Sequence, residues 1–271
     1  MVDGAIFIPD GNKYVPTGLA RGGWSDDAQH GGPPCGLLAH VIESVPTDHP
    51  MQTVRITVDL IRPVPMAPVT VATSIVRHGR RIQLVAATIE ADGVEVALAR
   101  ALRIRIGEVA LPEPPGTTWV APLLPEELAV LDIPHWHEEE HPLTRYYVDA
   151  IEIRSVGDSF VQMGRGVSWI RLRYPVVAGT PNSPLVRVAA VADLGNGNSM
   201  ALDPVHYLYV NPELTLHLHR LPTEDWVGMD SLALQHPTGI GLADTLLFDT
   251  TGPFGRVTQS QLIEKHDRPG A

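Results

Sequence analysis

From residue 54 to residue 60 apolar and polar side chains alternate, Val54, Ile56, Val58 and Leu60 being separated by Arg55, Thr57 and Asp59. A period of two is the mark of a strand with one face in a core and the other in water. Three more β-rich runs follow, at about 68–77, 81–91 and 94–105, divided by His78-Gly79 and Asp92-Gly93, dipeptides suited to hairpins or tight loops. Ahead of them the period changes. Leu37, Leu38, Val41, Ile42 and Val45 recur at helical spacing behind Pro33-Pro34, and Pro46 closes the segment. Proline is tolerated in a first helical turn, where its missing N–H would have had no partner. The prediction is one apolar helix followed by an antiparallel meander.

The pattern is written twice. Arg55-Ile56-Thr57-Val58-Asp59-Leu60-Ile61-Arg62-Pro63 returns as Glu213-Leu214-Thr215-Leu216-His217-Leu218-His219-Arg220-Leu221. Arg62 and Arg220 set the offset, 220 − 62 = 158, which also brings Val69 onto Val227 and Thr53 onto Asn211. In the second copy Leu185, Val188, Ala189 and Ala192 mark a helix starting near Pro184, and Gly195-Asn196-Gly197 reads as its stop. Strand-like runs then cover about 205–219, 226–235, 239–248 and 254–264, with Asp249-Thr250-Thr251-Gly252 matching the Asp92-Gly93 turn. A further strand is expected before each helix. Residues 106–144 hold seven prolines and little periodicity, so they read as a crossover. The expected organisation is a first domain over 1–110, a Pro-rich linker over 111–144 and a second domain over 145–271. An apolar helix followed by an antiparallel sheet is best buried by wrapping the sheet around the helix. Two such sheets joined edge to edge would also remove two open edges. The fold class is therefore α+β, two tandem helix-plus-sheet repeats forming one extended sheet around two central helices.

Composition narrows what such a molecule does. Apolar residues make up 44% and charged residues 19% of the 271, with a mean hydropathy of +0.03, ordinary values for a chain with a full core. A formal charge of −11, from 31 acidic against 20 basic residues, gives no general attraction to nucleic acid or anionic membranes. No apolar run reaches the ~18 residues of a membrane span, and residues 1–10 have no basic region. Cys35 is the single cysteine, which excludes an intrachain disulfide and a Cys-rich metal knuckle. A cytoplasmic location is expected.

Trp24-Ser25-Asp26-Asp27-Ala28-Gln29-His30-Gly31-Gly32-Pro33-Pro34 is similar to the entry to the central helix of hot-dog thioesterases, and Val191-Ala192-Asp193 and Thr258-Gln259 add to the likeness. Over nearly its whole length the chain resembles the double hot-dog acyl-CoA thioesterase family, of the acyl-CoA thioesterase II type. The resemblance implies an acyl-CoA substrate, no cofactor, no metal and a homodimer or a monomer, the dimer being preferred. In that family an Asp at the helix, a hydroxyl residue on the next strand and a Gln on the last strand jointly orient the attacking water. Asp193 and Gln259 match by type, whereas Asn211 stands where the family has a hydroxyl; its amide also donates and accepts but reaches further. Hydrolysing a thioester without a Ser or Cys nucleophile needs a held water, an acceptor for its proton and donors for the oxyanion. His30, Gly31 and Gly32, at a helix N-terminus, are the candidate substrate-binding residues, their N–H groups suited to an oxyanion. The first copy has Thr53 opposite Asn211 and only Arg100 or Ala101 opposite Gln259, so it lacks the trio.

Two other functions fit parts of the sequence. Asp26 and His30 ahead of a helix suit a hot-dog enoyl-CoA hydratase, though without that family's Asn-Pro surroundings, and the Asn211 departure leaves room for a non-catalytic acyl-thioester binder. The acyl chain is expected between helix and sheet, with Arg80 and Arg81 as candidate partners for the nucleotide phosphates. His137-Glu138-Glu139-Glu140-His141 spells the zinc-protease pattern, but three successive acids between Pro134 and Pro142 make no apolar helix face. His217 and His219 share a strand face with no third ligand in view. Trp24, Trp136, Trp169 and Trp226 read as core or interface anchors.

Overall fold

The structure is a computed structural model that describes residues 4–112, 119–120, 122–132, 143–157, 159–204 and 206–265. The first half contains β1 (Phe7–Asp10), β2 (Lys13–Pro16), α1 (Gly32–Ser44), β3 (Met51–Asp59), β4 (Val69–Arg77), β5 (Ile82–Ala91) and β6 (Val94–Arg105). The second contains β7 (Ile151–Val156), β8 (Gly166–Leu172), α2 (Pro184–Val191), α3 (Gly195–Asn198), β9 (Tyr207–Leu218), β10 (Val227–His236), β11 (Ile240–Asp249) and β12 (Gly252–Lys265). Two strands, rather than one, precede each helix. The twelve strands of the described residues form one sheet in the order β1-β2-β4-β5-β6-β3-β9-β12-β11-β10-β8-β7.

The seam of this sheet shows how the duplication was assembled. β3 and β9 pair antiparallel, with Arg55 opposite His217, Thr57 opposite Thr215 and Asp59 opposite Glu213. Thr57 therefore faces its own repeat counterpart, 158 residues away, and their hydroxyls lie 3.4 Å apart. Each remaining pair maps onto another of the same set, which is the isologous contact of a two-fold dimer built within one chain. The same shift carries β5 onto β11 end for end, since 82 + 158 = 240 and 91 + 158 = 249. It also fixes the ambiguous position: Thr57 pairs with Arg100 and Thr215 with Thr258, so Gln259 corresponds to Ala101.

The helices lie inside the sheet. Leu37, Leu38, Ile42, Leu185, Val188 and Ala190 are sealed from solvent among strand residues such as Ile56, Val85, Leu216 and Val257. α1 approaches the second helical segment closely because it presents glycine there. A Cβ on Gly32 would stand 2.3 Å from the Ala190 carbonyl oxygen, and one on Gly36 would stand 3.0 Å from the Ala190 Cβ.

The 158-residue ruler slips at the helices, whose starts differ by 184 − 32 = 152. The six extra residues fall between helix start and strand. There the segment departs from the expected single helix: α2 tightens into a 3-10 turn over Ala192–Leu194 and continues as α3. Gly195-Asn196-Gly197 does not stop the helix. Gly195 has helical φ −55° and ψ −39°, and is glycine because a Cβ would lie 2.5 Å from Thr245 Oγ1 and 2.8 Å from Gln259 Oε1. Close approach, rather than a left-handed cap, explains the residue.

Candidate active site

Four segments converge where α1 begins and α2 ends. Residues 21–30 are tied down by Gly22 N–H to Ala28 O, His30 N–H to Ala20 O and Gln29 N–H to Val64 O, which delivers His30 to the first turn of α1. Opposite, the 3-10 turn projects the Asp193 side chain toward that turn. The contact is tight enough that a Cβ on Gly31 would meet Asp193 Oδ2 at 2.5 Å. Asn211, five residues into β9, donates from Nδ2 to Asp193 Oδ1 at 3.1 Å. Gln259, fully buried on β12, donates from Nε2 to the same oxygen at 3.0 Å and to the Asp193 carbonyl at 3.2 Å. His30 Nδ1 lies 3.2 Å from Asp193 Oδ2.

All six candidate site residues thus come together, and they come from both copies. The first half supplies His30, Gly31 and Gly32; the second supplies Asp193, Asn211 and Gln259. Counted from the helix starts, Asp193 falls opposite Val41, so the first copy has no carboxylate to build an equivalent centre. At the α1 C-terminus of that half, buried Arg103 instead donates to the Val45 carbonyl at 2.7 Å and to that of Ile42, a cation placed at the negative end of a helix.

Burial dominates the electrostatics. It raises the Asp193 carboxyl above the ordinary carboxylate value, against opposing contributions from His30, the Asn211 and Gln259 amides and the Gly31 N–H. It lowers His30, with Asp193 pulling the other way. The thiol of Cys35 and the phenol of Tyr146, also close to Asp193, are pushed well up by burial and stay protonated. The α1 N-terminus offers few N–H groups, because Pro33 and Pro34 have none. Gly31 N–H is directed to the Asp193 carboxylate and Gly32 N–H donates to His30 Nδ1 at 3.0 Å.

Several contributors were not singled out from sequence. Tyr146, in a single π-helical turn over Tyr146–Ala150, packs its ring 5.1 Å from that of His30 and donates its hydroxyl to the Ala190 carbonyl at 2.7 Å. Asn198 ties α3 to the sheet, accepting from Ser168 Oγ at 2.7 Å and donating to Ser231 Oγ at 2.8 Å. Trp24 is not a core anchor: it is 48% exposed and meets Tyr209 edge-on at 5.3 Å. Trp169 is buried, and Trp226 is half-buried under the Arg154 and Arg171 guanidiniums. Trp136 and the stretch from His137 to His141 lie outside the described residues. His217 is exposed on the polar face of β9, and among the described residues no cluster of three metal-ligating side chains occurs. No helix among them is long and apolar enough to cross a membrane.

Gly195→Ala tests how finely the centre is set. The added methyl must displace Thr245 or Gln259, and a drop in kcat of about tenfold or more is expected from loss of alignment at Asp193. Steady-state kinetics beside a melting curve measures it.

A large antiparallel sheet wrapped around two central helices, with a buried carboxylate where the helices meet, defines a double hot-dog protein of the thioester hydrolase class. The chain belongs to the acyl-CoA thioesterase family: residues 20–104 match the model of the acyl-CoA thioesterase N-terminal domain, and residues 125–263 that of the C-terminal domain. Its fold is similar to that of a putative thioesterase II from Thermobifida fusca, at 17% identity and TM-score 0.70 with 95% of each chain covered. It is also similar to a hot-dog protein of unknown function from Alicyclobacillus acidocaldarius, at 17% identity and TM-score 0.70 with 97% of each chain covered. For the acyl-CoA thioesterase II TesB2 of Mycobacterium marinum the values are 15% and 0.66, with 97% of this chain and 95% of that chain covered. A search of curated protein sequences finds no match.

Proposed function

We propose that this enzyme hydrolyses fatty acyl-CoA to the free acid and coenzyme A by attack of water at the centre formed by Asp193, Asn211 and Gln259. The observation that carries the reading is the Asp193 carboxylate itself, buried at the end of one central helix, held by two amides and set against the N-terminus of the other helix. Asn211 stands where the family has a hydroxyl, yet its amide reaches the carboxylate. His30, Gly31 and Gly32 border the place for the thioester carbonyl at the α1 N-terminus, where the helix dipole favours developing negative charge although the Gly31 and Gly32 N–H groups are themselves directed to Asp193 and His30. Repeats over 1–110 and 145–271, joined by the linker 111–144, belong to the same reading, as do a homodimer and a cytoplasmic site of action.

The hydratase alternative is disfavoured by one contact. Asp26 is 57% exposed and paired with Arg145 at 2.9 Å, while His30 faces Asp193 instead. Free thiol release from acetyl- to palmitoyl-CoA, run beside hydration of crotonyl-CoA, tests the choice; release without hydration is expected. The acid limb of kcat/KM carries a second mark. Catalysis needs the Asp193 carboxyl ionised, and burial raises it above the ordinary ~3.9. Activity should therefore begin to fail, as pH drops, before an ordinary carboxylate would protonate.

A further inference from the structure

We infer that Gln261 is a specificity-determining residue. Its buried side-chain amide, beside the Asp193 centre, receives a hydroxyl carried a few carbons along the acyl chain, and hydroxyacyl-CoAs are the preferred substrates. The inference rests on the function proposed above and names the substrate class within it.

The repeat singles the residue out. Arg103 in β6 and Gln261 in β12 are counterparts, 261 − 103 = 158, and so are Gln83 in β5 and Gly241 in β11, 241 − 83 = 158. In the first half the two polar side chains serve the fold. Arg103 Nη1 donates to Gln83 Oε1 at 3.0 Å and to the Val45 carbonyl at 2.7 Å, and Gln83 Nε2 donates to the Pro46 carbonyl at 3.1 Å, closing the end of α1. The second half keeps the register, Gln261 lying opposite Gly241 as Arg103 lies opposite Gln83, and removes the partners. Gln261 is 3% exposed, yet neither its Oε1 nor its Nε2 bonds to any described residue. Buried amides in folded proteins have partners, so one left open on both ends calls for a specific reason.

Its position supplies that reason. Burial alternates along β12, placing Val257, Gln259 and Gln261 on the inner face and Ser260 and Leu262 on the outer one. Gln261 therefore stands about 7 Å from Gln259 along the strand. On its other side β9 bulges: Ser260 pairs with Glu213 and Leu262 with Val210, which sets Asn211 and Pro212 together across from Gln261. Its neighbours are thus the two residues that hold Asp193. Small side chains leave room on the same face. Ala243 lies opposite Gln259 and Gly241 opposite Gln261, where the first half has Val85 and Gln83, and Ala233 follows on β10. A Cβ on Gly241 would meet Gln261 Oε1 at 2.5 Å, so the amide lies over the glycine. An acyl chain running between helix and sheet from the Asp193 centre passes this strip within its first few carbons.

The open atoms choose the group that fits. A glutamine amide presents an acceptor at Oε1 and donors at Nε2, and both ends are unpaired here. A hydroxyl donates to the first and accepts from the second. An oxo group only accepts and would leave Oε1 buried without a partner, while a methylene would strand both ends. A site built to bond a substrate hydroxyl rejects the analogue that lacks one, because its own polar groups are then left unpaired. Oε1 of Gln259 is unpaired as well, but that side chain is fixed through Nε2 on Asp193 and belongs to the centre already described.

Thiol release from octanoyl-CoA and from its derivatives with a hydroxyl or an oxo group at carbons 3 to 6 tests the assignment in wild type, Gln261→Met and Gln261→Leu. Wild type should favour one hydroxy isomer over octanoyl-CoA by about tenfold or more in kcat/KM, and both variants should bring that ratio within about threefold of unity. Gln261→Met also removes a buried amide that has no partner, so its melting temperature should hold or rise. Thioether analogues of the same compounds, which cannot be hydrolysed, titrated by calorimetry, read the same preference as a ratio of Kd without turnover. Equal binding of the octyl and hydroxyoctyl thioethers, an unchanged preference in both variants, or a melting temperature several degrees lower in Gln261→Met overturns the role of Gln261. An oxo chain accepted as well as the best hydroxy chain overturns the choice of hydroxyl. Hydroxyl-selective thioether binding that Gln261→Met abolishes supports the subsite even if no acyl-CoA releases thiol, a result that would instead overturn the hydrolase reading.

Discussion

Asp193→Asn should lower kcat for acyl-CoA hydrolysis by about 10²- to 10⁴-fold, the range expected when a positioned acid–base group is removed. It should also leave the protein at least as stable at neutral pH. A carboxyl whose folded pKa is raised contributes stability at low pH, and that contribution is lost as pH climbs through the raised value. Asparagine never ionises and escapes the loss. It fills the same volume and still accepts from the Asn211 and Gln259 amides that hold the carboxylate. A large fall in turnover with an unchanged or higher melting temperature is the signature of a group kept for function at some cost to the fold. Steady-state kinetics and thermal melts of the two proteins measure both halves of the expectation.

The second large effect concerns stability and uses the repeat as its own control. Arg220 grips Asp249 with two bonds, Nη1 to Oδ2 at 2.6 Å and Nη2 to Oδ1 at 2.7 Å, and reaches the Gly252 carbonyl at 2.6 Å. Asp249 is fully buried. Burial alone would raise its carboxyl, but the bonds from Arg220, from the Thr251 side chain and from the Thr223 and Thr251 N–H groups outweigh it and hold the group well below the usual range. Arg220→Ala leaves this charge buried without its partner, which costs about 3–5 kcal/mol and roughly 10 °C in melting temperature for a chain of this size. The side chain of Arg62, its counterpart 158 residues earlier, bonds the Glu95 carbonyl at the surface and no other of the described residues, and the position matching Asp249 is Ala91. Arg62→Ala should change stability by no more than about 0.5 kcal/mol. The pH dependence carries a sign as well. A depressed carboxyl contributes stability above the unfolded value of ~3.9 and loses it as pH falls toward the folded one. In acid the gap between wild type and Arg220→Ala should therefore narrow.

The strands after each helix were legible because the repeat supplied a second reading of their boundaries, β5 and β11 starting and stopping at matching positions, whereas the short strands ahead of each helix lie outside the repeated pattern. The helix around Leu37 and Ile42 was legible because its apolar spacing is uninterrupted. Gly195 was misread because two different demands, a left-handed cap and a neighbour too close for a Cβ, select the same amino acid, and only the position of Thr245 and Gln259 tells them apart. The site residues could be named through a family likeness, but their contacts could not. Asp193 meets His30 across 163 residues of chain through the crossing of two helices, and no local period encodes that meeting. The fixed offset also fails there, since the six additional residues of the second copy lie between its helix start and β9. Tyr146, just after the Pro-rich linker and in no periodic run, gave no signal of its own.

The function proposed rests on water, not a protein oxygen, becoming bonded to the thioester carbon at the Asp193 centre. A single turnover of enzyme in excess over acyl-CoA, run in water enriched in oxygen-18, tests it most directly. The account predicts one solvent oxygen in the released acid and none in the peptide that contains Asp193. Label appearing in the Asp193 carboxylate would mean that this group attacks the substrate itself, and would contradict it.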